Sequence, residues 1–137
     1  MYSGMTPTAL EWKKKIRKFV NDELIPWEVH AGMNKGELPQ EIETKHRETA
    51  LSLGLSGMGI SKESGGLGLS MFEQMIAWEQ LGRVTNALSW CFPEVQDWMT
   101  NNFTQYQKEN YMNPLLCGDK RECYAITEKG AGSDVEG

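Results

Sequence analysis

The stretch Cys123 to Gly137, CYAITEKGAGSDVEG, decides how the rest of this chain is understood. Cys123, Tyr124, Ala125, Ile126 and Thr127 form a short apolar run with β-favouring side chains, which reads as a buried strand. From Gly130 to Ser133 the residues are Gly, Ala, Gly and Ser. So small a set lets backbone N–H groups approach a ligand closely, and consecutive N–H groups form a concavity suited to anionic oxygens such as phosphate. An ordinary strand followed by a glycine turn would be spelled with the same letters, so the choice rests on what lies upstream.

Upstream the pattern is helical. Thr6 and Pro7 read as an N-cap and first helical residue, after which Leu10, Ile16, Phe19, Val20 and Leu24 fall mostly at helical spacing. Pro26 is expected to end this helix at about Leu24, leaving an exposed loop from Trp27 to Leu38. Pro39 opens a second helix with Glu41 and Glu43 in its first turn, Ile42, Leu51 and Leu53 as apolar positions, and Gly54 as its C-terminal cap. Residues 54–68 are rich in glycine. They lack the Walker spacing and its Lys-Ser/Thr pair, so a tight connector between closely crossing helices is preferred over a phosphate loop.

Ser70 with Glu73 forms a capping box that starts a third helix, with Phe72, Met75, Ile76 and Leu81 facing inward and Gly82 ending it. A helix-like stretch from Thr85 to Met99 must kink or divide at Pro93. A further helix runs from Gln105 to about Met112, before Asn113-Pro114 and Gly118-Asp119 mark the exit. The fold class is therefore all-α, a bundle of about five helices with one terminal β-strand.

Composition narrows the function. The chain has 137 residues, a charged fraction of 24% and a formal net charge of -5. That size suits one domain, and the acidic balance argues against a nucleic-acid surface. The basic cluster Lys13, Lys14, Lys15, Arg17 and Lys18 reads as the solvated face of the first helix. Three cysteines, Cys91, Cys117 and Cys123, without CxxC spacing give neither a disulfide framework nor a zinc site, which fits a reducing cytoplasm. No segment has the length of a membrane span, and no secretory h-region is visible. Cys91, between Trp90 and Phe92, reads as a packed thiol. His30 and His46 lack ligand-spaced partners, so loop and helix-surface roles are expected, with no metal. The methionines, among them Met58, Met71, Met75 and Met99, read as core filling.

A lone strand cannot satisfy its own N–H and C=O groups, and no other segment offers a partner. The chain is therefore expected to be a fragment cut where a sheet domain begins.

Five segments together, FVNDELIPWE (Phe19 to Glu28), GELPQE (Gly36 to Glu41), LGLSGMGISKESGGLGLS (Leu53 to Ser70), EQLGRV (Glu79 to Val84) and YAITEKGAGSD (Tyr124 to Asp134), resemble the amino-terminal part of the acyl-CoA dehydrogenase family. The resemblance implies a helical domain over residues 1–120 and the start of a middle β-domain over residues 121–137, with the carboxy-terminal helical domain absent. It implies FAD as cofactor and α,β-dehydrogenation of an acyl-CoA thioester by the full-length enzyme. Electron-transfer flavoprotein would be the acceptor and a homotetramer the assembly. Tyr124, Ile126 and Thr127 would lie along the flavin, Gly132 and Ser133 would approach its pyrophosphate, and Ser133 would border the substrate. The family's catalytic base has no counterpart here; Glu128 and Asp134 read as structural. Lys129 departs from a common proline, either loosening the turn or bringing a cation near the phosphates. A stand-alone, non-catalytic interaction module and an oxidase-type relative are the alternatives.

Overall fold

In a computed structural model, which describes residues 4–130 and 132–133, the chain folds into five helical stretches joined by tight turns. The first is long and irregular. Helix α1 (Pro7–Phe19) starts where the Thr6 hydroxyl accepts from the Ala9 N–H. It continues as a π turn over Val20–Leu24 and a 3-10 turn over Ile25–Trp27, then resumes as α2 (Glu28–Met33). Pro26 does not end the helical path as the sequence suggested. The wider turn ahead of it, in which the Ile25 N–H donates to Val20 O, shifts the hydrogen-bond register before the residue that has no N–H to give. The expected loop from Trp27 shrinks accordingly to residues 34–38.

Helix α3 (Gln40–Ser52) follows Pro39 and carries Glu41 and Glu43 in its first turn. It ends at Gly54, left-handed at φ 75°, whose N–H donates to Leu51 O. Its buried positions are His46 and Ala50, not the aliphatic residues expected; Ile42, Leu51 and Leu53 are half-buried. His46 is thus a core residue, 1% exposed, where a surface role was expected.

Residues 57–60 and 66–69 fold back on each other, with Leu67 N–H donating to Gly57 O, Leu69 N–H to Met58 O and Gly68 N–H to Ile60 O. This is the tight connector read from the glycines. A Cβ at Gly66 would lie 2.6 Å from Gly57 O and closer still to Ile60 O, so the doubled-back backbones meet only because that residue has no side chain.

Helix α4 (Met71–Leu81) opens with the complete Ser70–Glu73 capping box and ends at Gly82. It packs on α1, the two joined by an ion pair of Lys13 with Glu79 at 3.3 Å. Lys13 is therefore buried, an exception to the solvated basic face. Ile76, Ala77, Gln80 and Leu81 face the bundle, whereas Phe72 and Met75, expected inside, are 46% and 62% exposed. A contact stripe on one partner helix takes only the 76/77/80/81 face.

The stretch after Val84 divides more finely than expected: a turn at residues 85–87, a 3-10 turn at Leu88–Trp90, an irregular passage through Pro93, then α5 (Asp97–Asn102). A second capping box, Thr104 with Gln107, starts the last stretch, which runs through α6 (Gln105–Gln107), a π turn over Lys108–Met112 and α7 (Asn113–Leu116). Pro114 follows directly on the π turn, and the Asn110 carbonyl one turn back accepts from Lys120 Nζ at 2.6 Å in place of the N–H that proline lacks, so the helical path runs on to an exit at Gly118.

The main core joins Ile16, Val20, Leu24, Ala50, Leu55, Ala77 and Leu81. A smaller cluster of Ile60, Val95, Met112 and Leu115 ties the last helices to the glycine connector. Residues 121–128 carry neither helix nor strand. The strand expected at Cys123 to Thr127 has no ladder to join among the described residues, as its lack of a partner in the sequence implies.

Candidate functional site

Where the tail leaves the bundle it borders a cleft of about 380 Å³ walled by Trp78, Trp90, Phe92, Glu94, Arg121 and Glu122. Two features hold this cleft open. Glu28, at the start of α2, accepts from the Thr85 N–H at 2.7 Å and the Thr85 hydroxyl at 2.9 Å, while its carbonyl accepts from the Asn86 amide at 3.1 Å. These bonds hold Asn86 and Ala87 in left-handed conformations, φ 55° and 56°, which side-chain-bearing residues seldom adopt. The chain then turns into Leu88–Trp90 and presents Trp90 to the cleft 80% exposed, with Trp78 and Phe92 stacked at 6.2 Å between ring centroids. On the other side, the Glu94 N–H donates to Glu122 Oε1 at 3.0 Å, seating the first residues of the tail on the cleft's lip.

The flavin-motif residues named from the sequence lie beyond that anchor. Tyr124, Ile126, Thr127, Gly132 and Ser133 are all exposed, Tyr124 at 85% and Ile126 at 37%. The described part of the terminal turn has Gly132 left-handed at φ 53°, and neither Gly130 nor Gly132 has any atom within 4 Å of where a Cβ would stand. Around these two glycines the chain is open to solvent, and the Tyr124 ring and the Thr127 side chain are exposed beside them. Glu128 and Lys129 are exposed on the same tail; Asp134 lies outside the described residues.

The remaining titratable candidates are structural. Cys91, Cys117 and Cys123 are free thiols, and burial pushes the Cys91 thiol up to about 11, which makes it a packed, neutral group at pH 7. His30 is exposed, edge-on to Trp27 at 5.4 Å between centroids. Among the described residues no group of three His, Cys, Asp or Glu is placed to hold a metal ion, and no helix is long and apolar enough to cross a membrane. Sequence reasoning missed Glu28, Trp78 and Trp90 as cleft-forming residues. Glu28 acts on Thr85, 57 residues away, and Trp78 stacks on Phe92 from a different element, pairings that no local pattern encodes.

The family model for the acyl-CoA dehydrogenase N-terminal domain matches residues 6–119, the whole of this helical bundle. The chain belongs to the acyl-CoA dehydrogenase family. It is 31% identical over 129 residues to the caffeyl-CoA reductase-Etf complex subunit CarC of Acetobacterium woodii, a match covering 91% of this chain and 33% of that protein. It is 29% identical over 136 residues to the mitochondrial isovaleryl-CoA dehydrogenase of Arabidopsis thaliana, covering 95% of this chain and 32% of the relative. It is 30% identical over 135 residues to the mitochondrial long-chain specific acyl-CoA dehydrogenase of Rattus norvegicus, with 92% and 29% covered. The chain thus spans about a third of the length of the relatives it matches.

Proposed function

We propose that this chain is the amino-terminal part of an FAD-dependent enzyme that acts on an acyl-CoA thioester, with residues 1–120 as helical domain and residues 121–137 as the opening of a β-domain. The observation that carries this reading is the seating of the flavin-motif tail on the lip of the aromatic cleft through the Glu122–Glu94 hydrogen bond. Bound FAD would supply a hydride acceptor for the substrate's β-carbon. The chain's own residues do the positioning. Backbone N–H groups of the turn holding Gly132 and Ser133 would face the pyrophosphate, Thr127 would offer its hydroxyl to the flavin edge, and Tyr124 and Ile126 would cover the ring and exclude water. Ser133 would also border the thioester.

Trp78, Trp90 and Phe92 give the cleft an apolar wall for the acyl group. Met58 and Met71 wall a neighbouring, mainly polar cleft of about 310 Å³ together with Ser56, Gln74, Asp97 and Trp98. No carboxylate in this chain is assigned the α-proton; that base would come from sequence beyond residue 137. Electron-transfer flavoprotein is the proposed acceptor, in keeping with the Etf complex in the name of the Acetobacterium relative, and a homotetramer the proposed assembly. The three free thiols suit a reducing compartment, the cytoplasm being the simplest; the isovaleryl and long-chain relatives are named mitochondrial.

The test uses the full reading frame containing this segment. The purified product is expected to show flavin absorbance, bleached by acyl-CoA and restored by electron-transfer flavoprotein. A stop codon after Gly137 in the native gene, or a full-length product that acyl-CoAs of several lengths leave unbleached, would overturn the reading in favour of a non-catalytic module. Restoration by oxygen instead would identify an oxidase-type relative.

A further inference from the structure

The Trp90 indole is 80% exposed, too little packed for its own ring to fix it, so its place follows from the main chain that carries it. Leu88 N–H donates to Thr85 O at 3.2 Å and Trp90 N–H to Ala87 O at 2.9 Å, which makes two linked turns from Thr85 to Trp90. The first has both central residues, Asn86 and Ala87, left-handed, the pattern of a type I′ turn, whose second central place ordinarily falls to glycine. Alanine there carries a steric cost, and the turn needs support from outside itself. Leu88, 5% exposed, anchors one end in the core. Glu28 holds the other: its Oε1 alone accepts from both the N–H and the hydroxyl of Thr85, and its carbonyl accepts from the Asn86 amide.

Trp90 belongs to the walls of two cavities, the cleft of about 380 Å³ beside the tail and a smaller one of about 160 Å³ lined also by Leu38, His46 and Leu88. A shift of the indole therefore changes the space on offer in both. We propose that Glu28 is a positioning residue: by reaching Thr85 it sets where Trp90 stands, and through Trp90 it sets the length of acyl chain that the cleft admits. Only the second half rests on the function proposed above. Another role is open to the same side chain, because Glu28 lies in the first turn of α2, where any carboxylate favours the helix dipole. The two roles make different demands. The dipole needs the charge and tolerates a shorter side chain. The bridge to Thr85 needs the full reach and one acceptor oxygen, which a neutral amide also has.

The experiment places 5-fluorotryptophan in the 137-residue chain and assigns the Trp90 line of the 19F NMR spectrum with Trp90→Phe. It then compares Glu28→Asp, which keeps the charge without the reach, with Glu28→Gln, which keeps the reach without the charge. Glu28→Asp is expected to shift the Trp90 line by more than its own width while the Trp98 line stays, and Glu28→Gln to leave both in place. A Trp90 line that Glu28→Asp does not move would show that Leu88 alone positions the indole, and a line that Glu28→Gln moves as far as Glu28→Asp does would assign Glu28 to the helix dipole; either result overturns the proposal. Glu28→Gln decides between bridge and dipole even where Glu28→Asp fails to fold. A second arm uses the full reading frame and the ratio of kcat/KM for octanoyl-CoA to that for butyryl-CoA. Glu28→Asp is expected to change this ratio by about fivefold or more, mainly through KM, and Glu28→Gln by less than about twofold. A ratio that Glu28→Asp leaves within about twofold, despite a displaced Trp90 line, would overturn the control of chain length. The first arm needs neither flavin nor thioester, so its failure and that of the bleaching test are separate results.

Discussion

A methyl group at Gly66 has nowhere to go. It would meet the carbonyl oxygens of Gly57 and Ile60, which are main-chain atoms held in the hydrogen bonds that close the connector. Relief requires parting residues 57–60 from 66–69, so Gly66→Ala is expected to cost about 1–3 kcal/mol, the range for overpacking a filled site. Gly130→Ala, where the Cβ meets open space, is expected to stay within about 0.5 kcal/mol. Urea midpoints of the two variants against the parent check both at once. His46 gives a pH dependence. Burial, the largest influence, lowers its pKa below the ordinary 6.5, against the raising effects of the Glu23 main chain and of the Glu23 and Glu43 charges, while Lys45 lowers it further. Glu43, Cys91 and Arg121 line the same small cavity, of about 160 Å³, as His46. The unfolded chain then takes up a proton that the native ring refuses, so stability is full above about pH 6.5 and falls as pH drops from there, by at most about 1.4 kcal/mol per pH unit. Denaturant melts between pH 7.5 and 5 are expected to show this slope in the parent and a shallower one in His46→Gln. A slope unchanged by the substitution would assign the acid sensitivity to other groups.

At the scale of elements, the caps are what the sequence states most directly. The Ser70 hydroxyl accepts from the Glu73 N–H, and the Ser70 N–H and hydroxyl both donate to Glu73 Oε2, at 2.9 and 2.8 Å, which holds that carboxyl below its ordinary range. Ser70→Ala is expected to cost about 0.5–2 kcal/mol, read as a lowered urea midpoint, because α4 is the helix on which α1 packs. This box, the Thr6 cap, the Gly54 stop and the Gly82 stop were all legible, since each is a local pattern with a local physical cause. The π turn before Pro26 was not: Pro26 forbids one hydrogen bond but does not say how the helix will route round it. Nor could spacing show which face of α4 is covered. Phe72 and Met75 sit as regularly as Ile76 and Leu81, and only the position of α1 separates them. His46 was misread for a related reason, because a lone polar residue among Glu, Lys and Arg on α3 looks solvated until the π turn is seen to lie over it. The cleft beside the start of the tail was not legible, because Glu28 reaches Thr85 across a distance in sequence that no motif spans.

At the scale of the whole molecule, the arrangement bears on what this chain can hold by itself. Trp90, Met71 and Trp98, which wall the two neighbouring clefts, are all more than half exposed, more apolar ring and thioether surface than solvation favours. The tail that carries the flavin motif is hydrogen-bonded to the bundle, among the described residues, through Glu122 alone. Fixing a segment so lightly held costs about 1–2 kcal/mol for each residue ordered, so ten such residues cost about 10–20 kcal/mol, comparable in size with the roughly 12 kcal/mol of a nanomolar complex. Contacts from Tyr124, Ile126, Thr127, Gly132 and Ser133 must first offset that cost before any affinity appears. The 137-residue chain purified alone is therefore expected to carry no flavin and to bind added FAD more weakly than about 100 μM. In the intact protein proposed above, the same residues would be fixed in advance by sheet neighbours and would bind without that cost. Equilibrium dialysis with FAD and an absorbance spectrum of the purified chain check the expectation. Flavin co-purifying with a homogeneous chain would show instead that the aromatic cleft supplies enough surface to order the tail, and the sheet domain proposed above would then matter for catalysis rather than for cofactor binding.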